Sequence, residues 1–312
     1  MDKMNNVRQI IWGKGLEDDH EIPKIIWLFW EGKSSEVVNR CIDKIHTTLI
    51  DFDIRILNFE TLKQYLPHII PINENLPIAN YSDIIRLDLL RTYGGIWLDA
   101  SILLTEDFKW LYFLKKKYKP ELLGFYTDLF TRNLNQPIVE TWFLATSKNS
   151  TFIKAWYEEF ALCYTSENPH EYYKELKNNE TLIQGLFKDP SADYLICYIA
   201  AIQVMLKNDN YRLLLFSANE SAHLYKFKFK YTLNQFNDFF LKDKSNNQLE
   251  LPSLIKFINS TRTHLDNQIN IARYSKKSLL YVISPDSNYY KNKLIRYINY
   301  SRFIINNLYK KK

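Results

Sequence analysis

The stretch YSDIIRLDLLRTYGGIWLDAS, residues 81–101, decides the reading of the chain. Its first part is a helix, predicted over Asn80–Tyr93, with Asn80 or Ser82 placed to cap the start and Gly94 just past the end. Two glycines then allow a sharp turn or a close backbone approach. Ile96 to Leu98 follows as a short strand buried on both faces, and Asp99 sits at its carboxyl end. Open α/β sheets take their ligands at that end of their strands.

The flanking segments agree with an α/β fold. Ile25 to Trp30, after Pro23, is a continuous apolar run of the kind a doubly covered strand needs. Val37 to Leu49 follows as a helix with Val38, Ile42 and Ile45 on one face. Phe52 to Leu57 reads as a strand, and Glu60 to Leu66 as a helix ended by Pro67. Strand and helix thus alternate, which predicts βαβ units and a mostly parallel sheet. Farther on, Trp142–Ala145 and Leu213–Phe216 are expected as strands, and Phe152–Tyr164 and Ala192–Leu206 as helices.

A chain of 312 residues with 46% apolar side chains can build a large core. The 22 tyrosines and 19 phenylalanines are more than an average core holds, and most are expected to pack. A net charge of +6 points to phosphate-bearing partners. Nucleic acid is the weakest of these, because zinc-finger spacing and RNP-type runs are missing. Cys41, Cys163 and Cys197 give no CxxC pair, which argues against a disulfide framework and fits a reducing cytoplasm. The longest apolar stretch, within Ala192–Leu206, contains Asp193 and Gln203 and is too short and polar to span a bilayer.

Several residues have chemistry to offer. Asp83 and Arg86 lie one helical turn apart, which suits either an intrahelical ion pair or a grip on sugar hydroxyls and phosphate. Asp99 suits a turn, a ribose hydroxyl or a divalent cation. Trp30 is equally suited to a core or to stacking on a base.

Four blocks then carry a family resemblance: IPKIIWLFWEGK at 22–33, the stretch at 81–101, WFLATSKNSTFIKAWYEEF at 142–160 and SADYLICYIAAI at 191–202. AHLYKFKFK at 222–230 is a weaker fifth. Together they resemble family 32 glycosyltransferases, and most of all the capsular polysaccharide synthesis branch. The resemblance implies a GT-A fold: a Rossmann-like, mostly parallel central sheet with helices on both faces, here followed by a helical C-terminal extension. It implies an N-terminal lead-in at 1–21, a catalytic domain at 22–230 and a helical region at 231–312. It implies a retaining enzyme that moves a hexose, galactose or glucose, from a UDP-sugar to a saccharide acceptor, polyprenyl-diphosphate-linked, in capsular or cell-surface polysaccharide synthesis. Trp30 would pack on the base, with backbone groups of Leu28 and Phe29 beside it. Asp83 and Arg86 would hold the sugar, and Asp193 would orient sugar or acceptor. Asp99 matches the first acid of a DxD motif, whose second acid is here Ser101. Mn²⁺ or Mg²⁺ would lie among Asp99, Ser101 and His223, or Lys226 and Lys228 would neutralise the diphosphate directly. A toxin-like protein glycosyltransferase and a non-catalytic nucleotide-sugar binder are the rival readings.

The tail from Tyr289 to Lys312 has no acidic residue. Its Lys291, Lys293, Arg296 and Arg302 alternate with aromatic residues, and Leu294, Ile298, Ile305 and Leu308 share a helical face. Such a helix can lie on an anionic membrane surface or pack on the domain. The expected place is the cytoplasm, at the inner face of the plasma membrane.

Overall fold

The structure, a computed structural model, describes residues 3–172, 195–230, 232–242 and 251–309. Among them lie nine strands: β1 (Gln9–Trp12), β2 (Ile25–Phe29), β3 (Asp53–Leu57), β4 (Gly95–Leu98), β5 (Ile102–Leu104), β6 (Leu122–Tyr126), β7 (Val139–Thr146), β8 (Leu213–Ser217) and β9 (Leu254–Lys256). The chain forms two compact units and passes between them repeatedly. The first takes Met1–Gly32, Asp51–Asp99 and Phe108–Ser221, and the second Lys33–Ile50, Ala100–Asp107 and Ala222–Lys312. Segments 33–50 and 100–107, inside the span expected as one domain, therefore fold with the C-terminal region.

The first unit is built on a sheet ordered β1-β8-β6-β7-β4-β2-β3. β2 pairs in parallel with β3 and β4, and β6 in parallel with β8. β7 runs against both β4 and β6, and β1 against β8. Five of the seven described strands thus point the same way, which makes this the expected α/β, mostly parallel sheet. Its two faces follow from the register. Trp27, Trp97 and Leu144 are row partners on one face and join the core formed with the Ile78–Tyr93, Thr151–Thr165 and Ile196–Lys207 helices. Leu98 and Phe143 are partners on the other face, where Trp110 of the Lys109–Tyr118 helix stacks on Phe143 at 6.1 Å.

The Ile78–Tyr93 helix starts earlier than its sequence suggests. Pro77 stands at its N-cap with φ −54° and makes no side-chain cap bond. Asn80 lies inside the helix, buried, and the Ser82 hydroxyl accepts from Arg86 instead. The stop is as expected. The Gly94 amide donates to Leu90 O at 2.8 Å, and Gly94 and Gly95 have φ of +66° and +97°. A Cβ on Gly95 would stand 2.7 Å from the Ile25 carbonyl oxygen. The glycine pair lets the chain turn back from the helix and enter the sheet tight against β2.

The second unit holds the β5–β9 ribbon and an aromatic core. Its Glu36–Thr48 helix is capped by Ser35 and fixed by Asp266, whose carboxylate accepts from the Val37 amide at 2.9 Å. Phe236, Phe239, Phe240 and Phe257 pack with Tyr225, Leu103 and Cys41. Much of the aromatic surplus is therefore core. The helical C-terminal region is present as Leu233–Leu241, Asn259–Asn270, Leu279–Ile283 and Tyr289–Tyr309. Cys41, Cys163 and Cys197 are all buried thiols.

Gly95→Ala is expected to lose about 2–4 kcal/mol of unfolding free energy, from positive φ together with the backbone clash. Urea denaturation measures it, and an unchanged midpoint would contradict the close approach.

Candidate functional site

The Ile78–Tyr93 helix is buried from Asn80 to Leu90 on all but one position, Ser82, which is half-buried. Charged residues on such a helix need partners, because a bare buried charge is far costlier than a paired one. Asp83 and Arg86 supply each other. Arg86 Nη1 lies 2.7 Å from Asp83 Oδ1, and both side chains are only 7% exposed. Arg86 Nη2 reaches Ser82 Oγ at 3.3 Å and Asp99 Oδ1 at 3.4 Å. Its guanidinium lies 4.9 Å from the Trp97 ring centre, and the Trp97 indole N–H donates to the same Asp99 oxygen at 3.1 Å. The two carboxylates named from the sequence therefore meet on one guanidinium.

Asp99 stands where β4 ends, and its amide donates to Trp142 O of the antiparallel β7 at 2.9 Å. Its side chain is 25% exposed, so it is the open member of the group. Burial pushes the Asp83 carboxyl up to about 7. The Arg86 charge opposes that rise, Asp99 adds to it, and a hydrogen bond with the buried Thr141 of β7 works against it. Beside Thr141, Glu140 accepts from the Tyr198 hydroxyl at 2.8 Å. Thr141, Glu140 and Tyr198 were not singled out from the sequence, since nothing in their local pattern separates them from core-strand residues.

The β2 residues lie at the same carboxyl edge. Leu28 is fully buried and Phe29 sets its ring 5.3 Å from that of Phe59. The β2–β4 ladder ends at Trp27, so the Leu28 and Phe29 backbone on the β4 side lies beyond it. Trp30 is half-buried, and its amide donates to Leu57 O at 2.9 Å. Asp193 lies outside the described residues.

The remaining expected residues belong to the second unit. Ser101 is buried, and its Oγ accepts from the Lys256 ammonium at 2.9 Å. His223 is buried, and its pKa is driven well down by burial, then by Lys226 and Lys256. Lys226 and Lys228 sit in the Leu224–Lys228 helix. Two residues apart on a helix they diverge; Lys226 is half-buried and Lys228 exposed.

A divalent cation was expected among Asp99, Ser101 and His223, and the donor chemistry does not suit one. Hard cations take several charged or carbonyl oxygens. Ser101 offers a neutral hydroxyl already shared with an ammonium. A divalent ion ~4 Å from that ammonium would meet about 8 kcal/mol of repulsion at an effective dielectric near 20, twice the value for two unit charges. Among the described residues no group of three or more His, Cys, Asp or Glu side chains is placed to hold a metal.

A profile of the capsular polysaccharide synthesis protein family matches residues 14–244. The chain belongs to that family. The match spans both Asp83–Arg86 and Asp99–Ser101. The O-glycosyltransferase braB of Annulohypoxylon truncatum is 32% identical over 119 residues, covering 36% of this chain and 24% of that protein. The chain thus matches about a quarter of the length of that curated relative. Among solved structures, the glycosyltransferase GlyE of Streptococcus pneumoniae TIGR4 aligns over 93% of this chain and 64% of its own, at 14% identity and a TM-score of 0.42. The galactosyltransferase LgtC, solved with donor and acceptor sugar analogs, aligns over 49% of this chain and 70% of its own, at 11% identity and a TM-score of 0.30.

The raised Asp83 pKa has a measurable consequence. An unfolded aspartate loses its proton near about pH 4, whereas folded Asp83 holds its proton up to about 7. Within that window the folded state binds more protons, so this group's contribution to stability falls as pH rises. Asp83→Asn, which copies the protonated form, is expected to flatten the fall in melting temperature between about pH 4 and pH 7. A variant with the wild-type slope would show that Asp83 titrates as an ordinary carboxylate.

Proposed function

We propose that this member of the capsular polysaccharide synthesis family is a retaining GT-A glycosyltransferase. It transfers a hexose, galactose or glucose, from a UDP-sugar to a saccharide acceptor carried on a polyprenyl diphosphate, in capsular or cell-surface polysaccharide synthesis. The observation that carries the reading is the Asp83–Arg86–Asp99 group at the carboxyl edge of the sheet. A charged network this deep, opening on one partly exposed carboxylate where α/β sheets bind ligands, is costly to keep for structure alone.

In this reading Asp99 accepts from donor hydroxyls, and Arg86 fixes its orientation. Asp83 and Arg86 hold the transferred sugar. The edge backbone of Leu28 and Phe29 and the Trp30 ring take the base. The glycosidic carbon–oxygen bond to phosphate breaks, and its electron pair leaves with UDP. The acceptor oxygen bonds to the anomeric carbon from the same face, and its proton passes to a β-phosphate oxygen. Positive charge on the diphosphate and fixed positioning of the sugar are what the protein must supply.

Purified protein is expected to hydrolyse UDP-Gal or UDP-Glc slowly without acceptor. Asp83→Asn and Asp99→Asn should each lower turnover about 10- to 100-fold, the range for losing a hydrogen bond to a charged group. Wild-type turnover in both variants would remove the site.

The acceptor assignment draws support from the Tyr289–Tyr309 helix. Its base is tied down: Lys293 donates to Tyr274 O at 2.6 Å, and Arg296 bonds Glu36 at 2.8 Å. Beyond that, Leu294, Tyr297, Ile298, Ile305 and Leu308 are all exposed. They share one face, with Lys291 and Arg302 along its side and no acid anywhere on the helix. Among the described residues no helix is long and apolar enough to cross a membrane. An anionic lipid surface suits an apolar stripe edged by cations. Ile298→Glu with Ile305→Glu should abolish sedimentation with phosphatidylglycerol vesicles and leave melting temperature unchanged. Equal pelleting of wild type and variant would sink the membrane role.

A further inference from the structure

Three tryptophans of the first unit place their indole N–H on a backbone carbonyl: Trp12 on Asn135 O at 2.7 Å, Trp27 on Gly94 O at 2.9 Å and Trp156 on Cys197 O at 2.8 Å. Bonds of that kind fix the path of the chain and serve the fold. Trp97 differs. Its N–H donates to the Asp99 carboxylate at 3.1 Å, and its ring lies 4.9 Å from the Arg86 guanidinium. Trp97 and Asp99 are two residues apart, so an extended chain turns both to one side. The indole is 1% exposed, with Trp27 and Leu144 as its row partners on the neighbouring strands. Close packing leaves it no room to turn. A rigid core residue thus holds the partly exposed carboxylate at the edge of the sheet.

We infer that Trp97 is a positioning residue for the sugar-nucleotide donor: its indole N–H sets the Asp99 carboxylate in the orientation that meets the donor, and Trp97 acts through Asp99. The inference rests on the proposed donor chemistry and adds the residue that presets it. The Arg86 Nη2–Asp99 contact of 3.4 Å is longer than the usual N–H···O distance of about 2.7–3.2 Å. Arg86 therefore supplies charge, and the Trp97 bond, inside that range, supplies direction. Asp99 needs direction, because its side chain is 25% exposed and an untethered carboxylate there samples several rotamers. Fixing it before the ligand arrives removes an ordering cost from binding. A phenylalanine would keep a ring beside Arg86 and offer no donor, so the nitrogen of the indole is the part the site uses.

The test is a double-mutant cycle on kcat/KM for hydrolysis of UDP-Gal or UDP-Glc by the full chain. Trp97→Phe removes the donor and should lower kcat/KM about 10-fold, within the range for losing a hydrogen bond to a charged group. In an Asp99→Ala background, which removes the acceptor, the same change should lower it by less than about twofold. A loss that comes from packing alone would be the same in both backgrounds. If Trp97→Phe fails to fold, 3-benzothienylalanine at position 97 keeps the ring outline, with sulfur in place of the N–H group, and should give the same two values. A folded Trp97→Phe or benzothienylalanine protein with wild-type kcat/KM would overturn the inference. So would an equal loss in both backgrounds, and in either case the transferase reading stands. Wild type that hydrolyses neither UDP-sugar would overturn that reading, and this inference with it.

Discussion

The first unit is organised around one constraint: an aspartate and an arginine one turn apart on a helix that is buried almost all round. At 7% exposure, neither Asp83 nor Arg86 has enough water to carry its charge alone. Coulomb attraction between them offsets only part of the desolvation, and the remaining lone pairs and protons must be met by other groups. Thr141 comes to the aspartate from β7, and Asp99 comes to the arginine from the end of β4. Ser82, one turn before Arg86 on the same helix, takes a further bond. Strands β4 and β7 are thereby held to one pair of side chains on the helix.

This requirement gives the antiparallel strand its place. β7 lies beside β4 and runs against it, so the beginning of β7 lies at the carboxyl end of β4. A parallel neighbour would bring its own carboxyl end there. Because β7 is reversed, its Thr141 side chain and Trp142 carbonyl arrive together at Asp83 and Asp99. The pleat of β7 places Phe143 and Leu144 on opposite faces, so one strand contributes to both layers of the core. Packing and polar satisfaction are met by the same few residues, which is the consistency a single native state needs.

How much of this was readable follows from how far each contact reaches along the chain. The Asp83–Arg86 pair is a local contact, and helical spacing alone brings it together. Asp99 is thirteen residues from Arg86, yet it too is signalled, because Gly94 and Gly95 mark the turn that sends β4 back beside the helix. Thr141 and Tyr198 carry no such mark; their roles come from sheet order and from a helix packed far along the sequence. The helix start was misread because Asn80 and Ser82 are good caps in isolation, whereas Pro77 sets the boundary and burial claims Asn80. Lys226 and Lys228 were expected to act together on the diphosphate, and on the Leu224–Lys228 helix they face apart. Lys256 is 155 residues from Ser101, and no short-range pattern could join them.

The serine at 101 is instructive for the same reason. Read along the chain, Asp-Ala-Ser is an acidic motif with one ligand missing, and it suggests a weakened metal site. Within the second unit, the Ser101 hydroxyl accepts from the Lys256 ammonium at 2.9 Å, and its carbonyl accepts from the Phe257 amide at 3.0 Å. Side chain and backbone of this one residue are thus both tied to the end of β9, and burial makes those bonds costly to lose. A position that looks incomplete within a three-residue motif is fully engaged once the distant strand is counted.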